Sequence, residues 1–78
     1  MKSNTFKILN DKNETLTMEI VSVFEINGYP YHYIIYTELD HSHYYLAKYT
    51  GKDIVDLITE FDDEEYKLAS EVFDRVVK

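Results

Sequence analysis

Ile20-Val21-Ser22-Val23-Phe24-Glu25-Ile26-Asn27-Gly28-Tyr29-Pro30-Tyr31-His32-Tyr33-Ile34-Ile35-Tyr36 is the stretch that decides the fold. Two runs of β-branched and aromatic residues flank Asn27-Gly28, a dipeptide that tolerates the positive φ a type I′ hairpin turn requires at both central positions. Two-residue closure pairs Ile26 with Tyr29, Phe24 with Tyr31, Ser22 with Tyr33 and Ile20 with Ile35 on one face. Val23 then meets His32 and Val21 meets Ile34 on the other. In this register Pro30 lies opposite Glu25 at a non-hydrogen-bonded pair, where a missing N–H costs the ladder nothing.

Upstream, Leu16, Met18, Ile20, Phe24 and Ile26 recur with period two, which predicts a long strand over residues 14–26 with one buried face. A short strand over 6–9 precedes it, reversed by the turn-forming cluster Asn10-Asp11-Lys12-Asn13. Downstream, the third strand runs to Thr37, the polar stretch Glu38-Leu39-Asp40-His41-Ser42-His43 reads as a loop, and a fourth strand spans 44–49. Thr50-Gly51-Lys52 turns the chain into a fifth strand over 54–59. Asp62 with Glu65 three residues on forms a capping box, and Asp63 and Glu64 complement the dipole of the first helical turn. Tyr66, Ala69, Val72, Phe73, Val76 and Val77 follow at helical spacing, opposite Lys67, Ser70, Glu71 and Asp74. The expected fold is α+β: an antiparallel β-meander of about five strands with one C-terminal amphipathic α-helix packed on one face.

At 78 residues one hydrophobic core barely outweighs conformational entropy, so residues 1–78 are read as a single domain. The chain has no cysteine, which removes disulfides, thiolate metal clusters and cysteine nucleophiles and fits a reducing cytoplasm. No run of apolar residues has the length of a signal peptide core or a membrane span. Eight basic against fifteen acidic residues give a net charge of -7, which repels nucleic-acid phosphates and anionic lipids; Lys48 and Lys52 are the nearest approach to a basic patch. Neither a nucleic acid nor a membrane is the expected partner.

Only one cluster has metal-ligand residue types: Asp40, His41, Ser42 and His43, with Glu38 before them and His32 on the preceding strand. Its spacing fits no established four-ligand pattern, so no metal is assigned. A metal or small-ligand binder using His32, His41 and His43 stands as the alternative function. Asp62-Asp63-Glu64-Glu65 is explained by capping, without general acid–base work. Ser3, Ser22, Ser42 and Ser70 stand in no strand-turn-helix elbow, and the only glycines, Gly28 and Gly51, build no phosphate-cradling loop. The chain is therefore read as a non-enzyme with no catalytic residues and no cofactor. Eight tyrosines concentrate on the third and fourth strands, where cross-strand packing uses most of them. The sheet reads as apolar on both faces while one helix covers one. The other face, around Val21, Val23, Ile34 and Tyr36, is the expected interaction surface for a protein partner or a second copy of the chain.

The order Phe24-Glu25-Ile26-Asn27-Gly28-Tyr29-Pro30-Tyr31, Ile35-Tyr36-Thr37-Glu38, an acidic loop, an aromatic strand, Asp62-Asp63-Glu64-Glu65-Tyr66 and Val72-Phe73-Asp74 resembles domain of unknown function family 1292. These are small acidic proteins chiefly of low-GC Gram-positive bacteria, and the likeness runs from about Phe6 to Val77. It implies a cytoplasmic protein with no established activity, so it carries no functional residues over. His41, Ser42 and His43 depart from the family's run of acids in the loop. The resulting expectation is a small cytoplasmic protein-interaction or scaffolding module.

Overall fold

A computed structural model describes residues 4–9, 11–51 and 57–77. Strands β1 (Thr5–Leu9), β2 (Thr15–Glu25), β3 (His32–Glu38) and β4 (Tyr44–Tyr49) are followed by one helix, α1 (Asp63–Val77). The strands form a single antiparallel meander in the order β1-β2-β3-β4, so the α+β architecture holds, with four strands among the described residues where five are expected from sequence. Of the expected fifth strand, residues 54–56 lie outside the described residues. Ile58 makes one antiparallel bridge to Lys48 at the outer edge of β4, exchanging both backbone hydrogen bonds with it at 3.0 and 2.8 Å.

The central hairpin closes differently from the expected two-residue turn. The Tyr29 amide donates to the Ile26 carbonyl at 3.2 Å, so Asn27 and Gly28 do occupy the turn centre. Gly28 alone takes positive φ, at 94°, and Asn27 does not. A turn with positive φ only at its second central residue is not type I′, and its twist does not match that of the strands, which therefore splay. Pro30, which has no N–H to give, keeps the next residues out of the ladder. Pairing begins only at Glu25↔His32 and continues through Phe24↔Tyr33, Val23↔Ile34 and Ser22↔Ile35. The register has slipped by two, an even number, so each residue above Val21 keeps its expected face.

Below that point an irregularity between Ile20 and Ser22 inserts one extra residue, and pairing resumes at Ile20↔Tyr36 and Met18↔Glu38. A bulge of this kind exchanges the faces of the strand beyond it. The apolar stripe read as one face is thereby divided. Phe24 stacks on Tyr33 with centroids 5.4 Å apart on the helix side, whereas Met18 and Ile20 join Ile34, Tyr36, Ala47 and Tyr49 in a core on the opposite face, packed further by Phe6, Ile8 and Leu57.

Helix α1 starts as its sequence dictates. Glu65 N–H donates to Asp62 Oδ1 at 2.6 Å, and Asp62 N–H donates to Glu65 Oε1 at 3.2 Å, a reciprocal capping box. Its inward face differs from the expected stripe. Ala69 and Glu65 are its buried residues, while Tyr66 is 57% exposed and Val76 is exposed too. No helix among the described residues is long and apolar enough to cross a membrane.

Candidate functional site

Two polar constellations stand out. The first lies between helix and sheet. Lys48, cross-strand from Tyr33, is 6% exposed, and Glu65 is 2% exposed. Lys48 Nζ donates to both carboxylate oxygens of Glu65 at 2.9 Å. The Tyr33 hydroxyl donates to Glu65 Oε2 at 2.6 Å. The ammonium also lies over the Tyr31 ring, 4.1 Å from its centroid, and over Phe61 at 5.0 Å, so its remaining charge meets π faces. Burial by itself pushes the Glu65 carboxyl up, but hydrogen bonds from Tyr33 and Lys48 outweigh it and the group ends below its ordinary range. Burial first, then the bond to Glu65, raises the Tyr33 phenol far above its ordinary range. With both charges paired, this cluster joins α1 to the sheet. From sequence, Lys48 is no more than the nearest approach to a basic patch that the chain lacks, and Glu65 is a cap alone. The signal for the pair was a lone lysine in an aromatic strand, at the position facing Tyr33.

The second constellation is at the far end of β3. Beyond Met18↔Glu38 the chain turns away, with the His41 amide bonded to the Glu38 carbonyl at 2.8 Å, and the start of β2 projects past it. The notch so formed has a volume of about 320 Å³ and is lined by Leu16, Thr17, Met18, Glu38, Leu39 and Asp40. Leu39 is 58% exposed. The Ser42 hydroxyl donates to Glu38 Oε1 at 2.8 Å, His43 Nδ1 lies 3.0 Å from the same oxygen, and the Ser42 amide donates to Asp40 Oδ1 at 3.0 Å. Bonds from Ser42 and then His43 hold Glu38 below its ordinary carboxyl range, and bonds from Ser42 do the same for Asp40. His41, which takes positive φ at 59°, reaches Glu19 at 3.1 Å.

Ser42, His43 and Glu38 include the residue types of a hydrolytic triad without its geometry. The hydroxyl and the carboxylate both meet Nδ1 of His43, at 3.2 and 3.0 Å. A relay needs the nucleophile on one ring nitrogen and the carboxylate on the other.

The three histidines of the alternative reading are not brought together. His32 opens β3, paired with Glu25 at 3.0 Å, whereas His41 and His43 follow its other end. A seven-residue strand spans about 20 Å at about 3.3 Å per residue, too far for one ion. No group of three metal-ligating side chains converges among the described residues.

The expected interaction surface is likewise divided. Ile34 and Tyr36 are buried in the chain's own core, and only Val21 and Val23 are exposed. Ile34 and Tyr36 are therefore closed to a partner, because Phe6, Ile8, Ile20 and Leu57 already pack against the cluster they belong to.

A four-stranded meander latched to a C-terminal helix by a buried ion pair, with an acid-rimmed aliphatic notch at one end, is the class this geometry defines. No family model, curated protein or solved structure matches the chain.

Proposed function

We propose that the chain is a small protein-interaction module, and that its docking surface is the notch at the end of β3. The observation that supports this is the composition of that notch: exposed Leu16 and Leu39 form an aliphatic floor, and two carboxylates pinned by Ser42 and His43 form its rim. An apolar surface edged by preorganised polar groups gives both contact area and orientation, and it costs little conformational freedom on binding. Within this reading the protein performs no chemical step, and neither a nucleic acid nor a membrane is its partner, because both repel a chain of charge -7.

Photo-crosslinking tests it. A benzophenone side chain placed at Leu39 is expected to give a discrete adduct with one cellular protein, and the same group at Glu71, on the exposed side of α1, is expected to give none. Equal labelling from both positions, or none from Leu39, overturns the assignment of this surface.

A further inference from the structure

The chemistry of the notch selects among occupants. Among the described residues its lining holds two carboxylates, Glu38 and Asp40, three aliphatic or thioether side chains, one threonine and no lysine or arginine. The loop holds both carboxylates, Glu38 at Oε1 through Ser42 and His43 and Asp40 at Oδ1 through Ser42, and the Tyr45 phenol also hydrogen-bonds Glu38. A carboxylate accepts at about four lone-pair positions, so Glu38, partly exposed, and Asp40, exposed, keep acceptor capacity toward an incoming donor. A second copy of the chain docked here about a two-fold axis sets Glu38 and Asp40 against their own counterparts, like charge on like charge. A neutral apolar segment strips water from two charges and returns nothing to them. An anionic partner is repelled by the notch and by the net charge of -7 together.

Resting on the docking reading above, we infer that the occupant is a basic, amphipathic peptide segment of a partner protein. An arginine or lysine of that segment lies with its alkyl stem along Leu16 and Leu39 and its cation between Glu38 and Asp40, and an apolar neighbour completes the contact. Arginine suits the site better, since its planar fork can engage two acceptors at once. The long stem matters as much as the charge, because basic side chains bury their methylenes on apolar surface while the head meets an acid.

The test uses the full chain, labelled with 15N, titrated with acetyl-Arg-Leu-Arg-Leu-Arg-amide, its Glu-Leu counterpart, its Ser-Leu counterpart and spermidine. The basic peptide is expected to move the amides of residues 16–18 and 38–40 and to bind at least about tenfold tighter than the other three, about the value of one well-placed charge contact. Glu38→Gln/Asp40→Asn is expected to remove most of that preference. Glu71→Gln/Asp74→Asn, which changes the charge equally on the helix, leaves affinity within a factor of about two for solvated, screened sites. Leu39→Ser, at an exposed position that alters no charge, is expected to weaken the basic peptide severalfold. Shifts centred on the helix, equal losses in both acid-pair variants, or spermidine binding as tightly as the peptide overturn the inference. Notch shifts of equal size from the Ser-Leu peptide overturn the cation requirement while the docking reading stands. No notch shifts from any peptide, together with no adduct from position 39, remove both.

Discussion

Lys48, Glu65 and Tyr33 are the residues on which the joint between sheet and helix depends, because all three bury polar groups that satisfy one another, with the Asp62 amide as a further donor to Glu65. Removing one partner of a buried ion pair leaves the other desolvated and unpaired, at about 3–5 kcal/mol. A domain of this size has only about 4–12 kcal/mol in total, taking about 0.05–0.15 kcal/mol per residue. Glu65→Gln is therefore expected to leave the chain marginal or unfolded by urea titration, and Tyr33→Phe, which removes one hydrogen bond to a charged group, to cost about 1.5–3 kcal/mol. Lys48→Met/Glu65→Leu removes both charges together but leaves the Tyr33 hydroxyl without its acceptor, and is expected to stay folded at a loss of about 1–3 kcal/mol, less than either single charge removal; an unfolded double variant would mean that packing, not charge pairing, sets the joint. The pH dependence follows from the sign of the Glu65 shift. Its folded carboxyl lies below the ordinary 4.5, so the unfolded chain takes up the proton first as pH falls. The stability Glu65 contributes is complete above that value and is lost as pH drops through its lowered folded value. The acid limb of a stability profile is expected to be steeper in the parent chain than in the double variant, with other carboxylates common to both.

At the scale of elements, period-two patterning, the capping box and the turn residues made every strand but the fifth, and the helix, legible, because each is a local signal that the chain obeys locally. Two features were not legible. The bulge between Ile20 and Ser22 leaves no mark in Ile20-Val21-Ser22, since any of these residues can sit in a strand; it is the shape of the two cores that divides Phe24 from Met18 and Ile20. The ion pair joins residues 17 apart in sequence, a distance over which neither periodicity nor spacing carries information; the notch could not be seen either, because which residues of β2 project past Glu38 follows from the shifted register. The turn was legible in its residues and not in its type. Gly28, with φ of 94°, and Gly51, with φ of 85°, are both open enough that a Cβ meets nothing within 4 Å. Alanine at either site therefore costs conformational energy alone, about 1–2 kcal/mol. Chemical denaturation should return similar losses for Gly28→Ala and Gly51→Ala, with unchanged strand pairing in the amide spectra. A loss well beyond that range at Gly28 would show that the hairpin turn also bears packing.

For the whole molecule, charge and coverage act in the same direction on self-association and in opposite directions on docking. The middle of the sheet is buried on both faces, by Tyr33 and Ile35 on one side and by Ile34, Ala47 and Tyr49 on the other. Two copies therefore have little apolar area at the sheet centre to exchange for the repulsion between chains of net charge -7. Salt weakens both that repulsion and the attraction of the notch for a cation, since the Debye length falls from about 8 Å at physiological ionic strength to about 3 Å at 1 M. Light scattering is expected to find a monomer at low and physiological salt, with any association appearing only as salt rises. Over the same range the affinity for the basic peptide is expected to fall, but not to vanish, because Leu16 and Leu39 contribute a part that salt does not screen. A dimer that forms at low salt and dissociates at high salt would require an oppositely charged surface on the chain, against fifteen acids and eight bases, and would place the docking chemistry somewhere other than between Glu38 and Asp40.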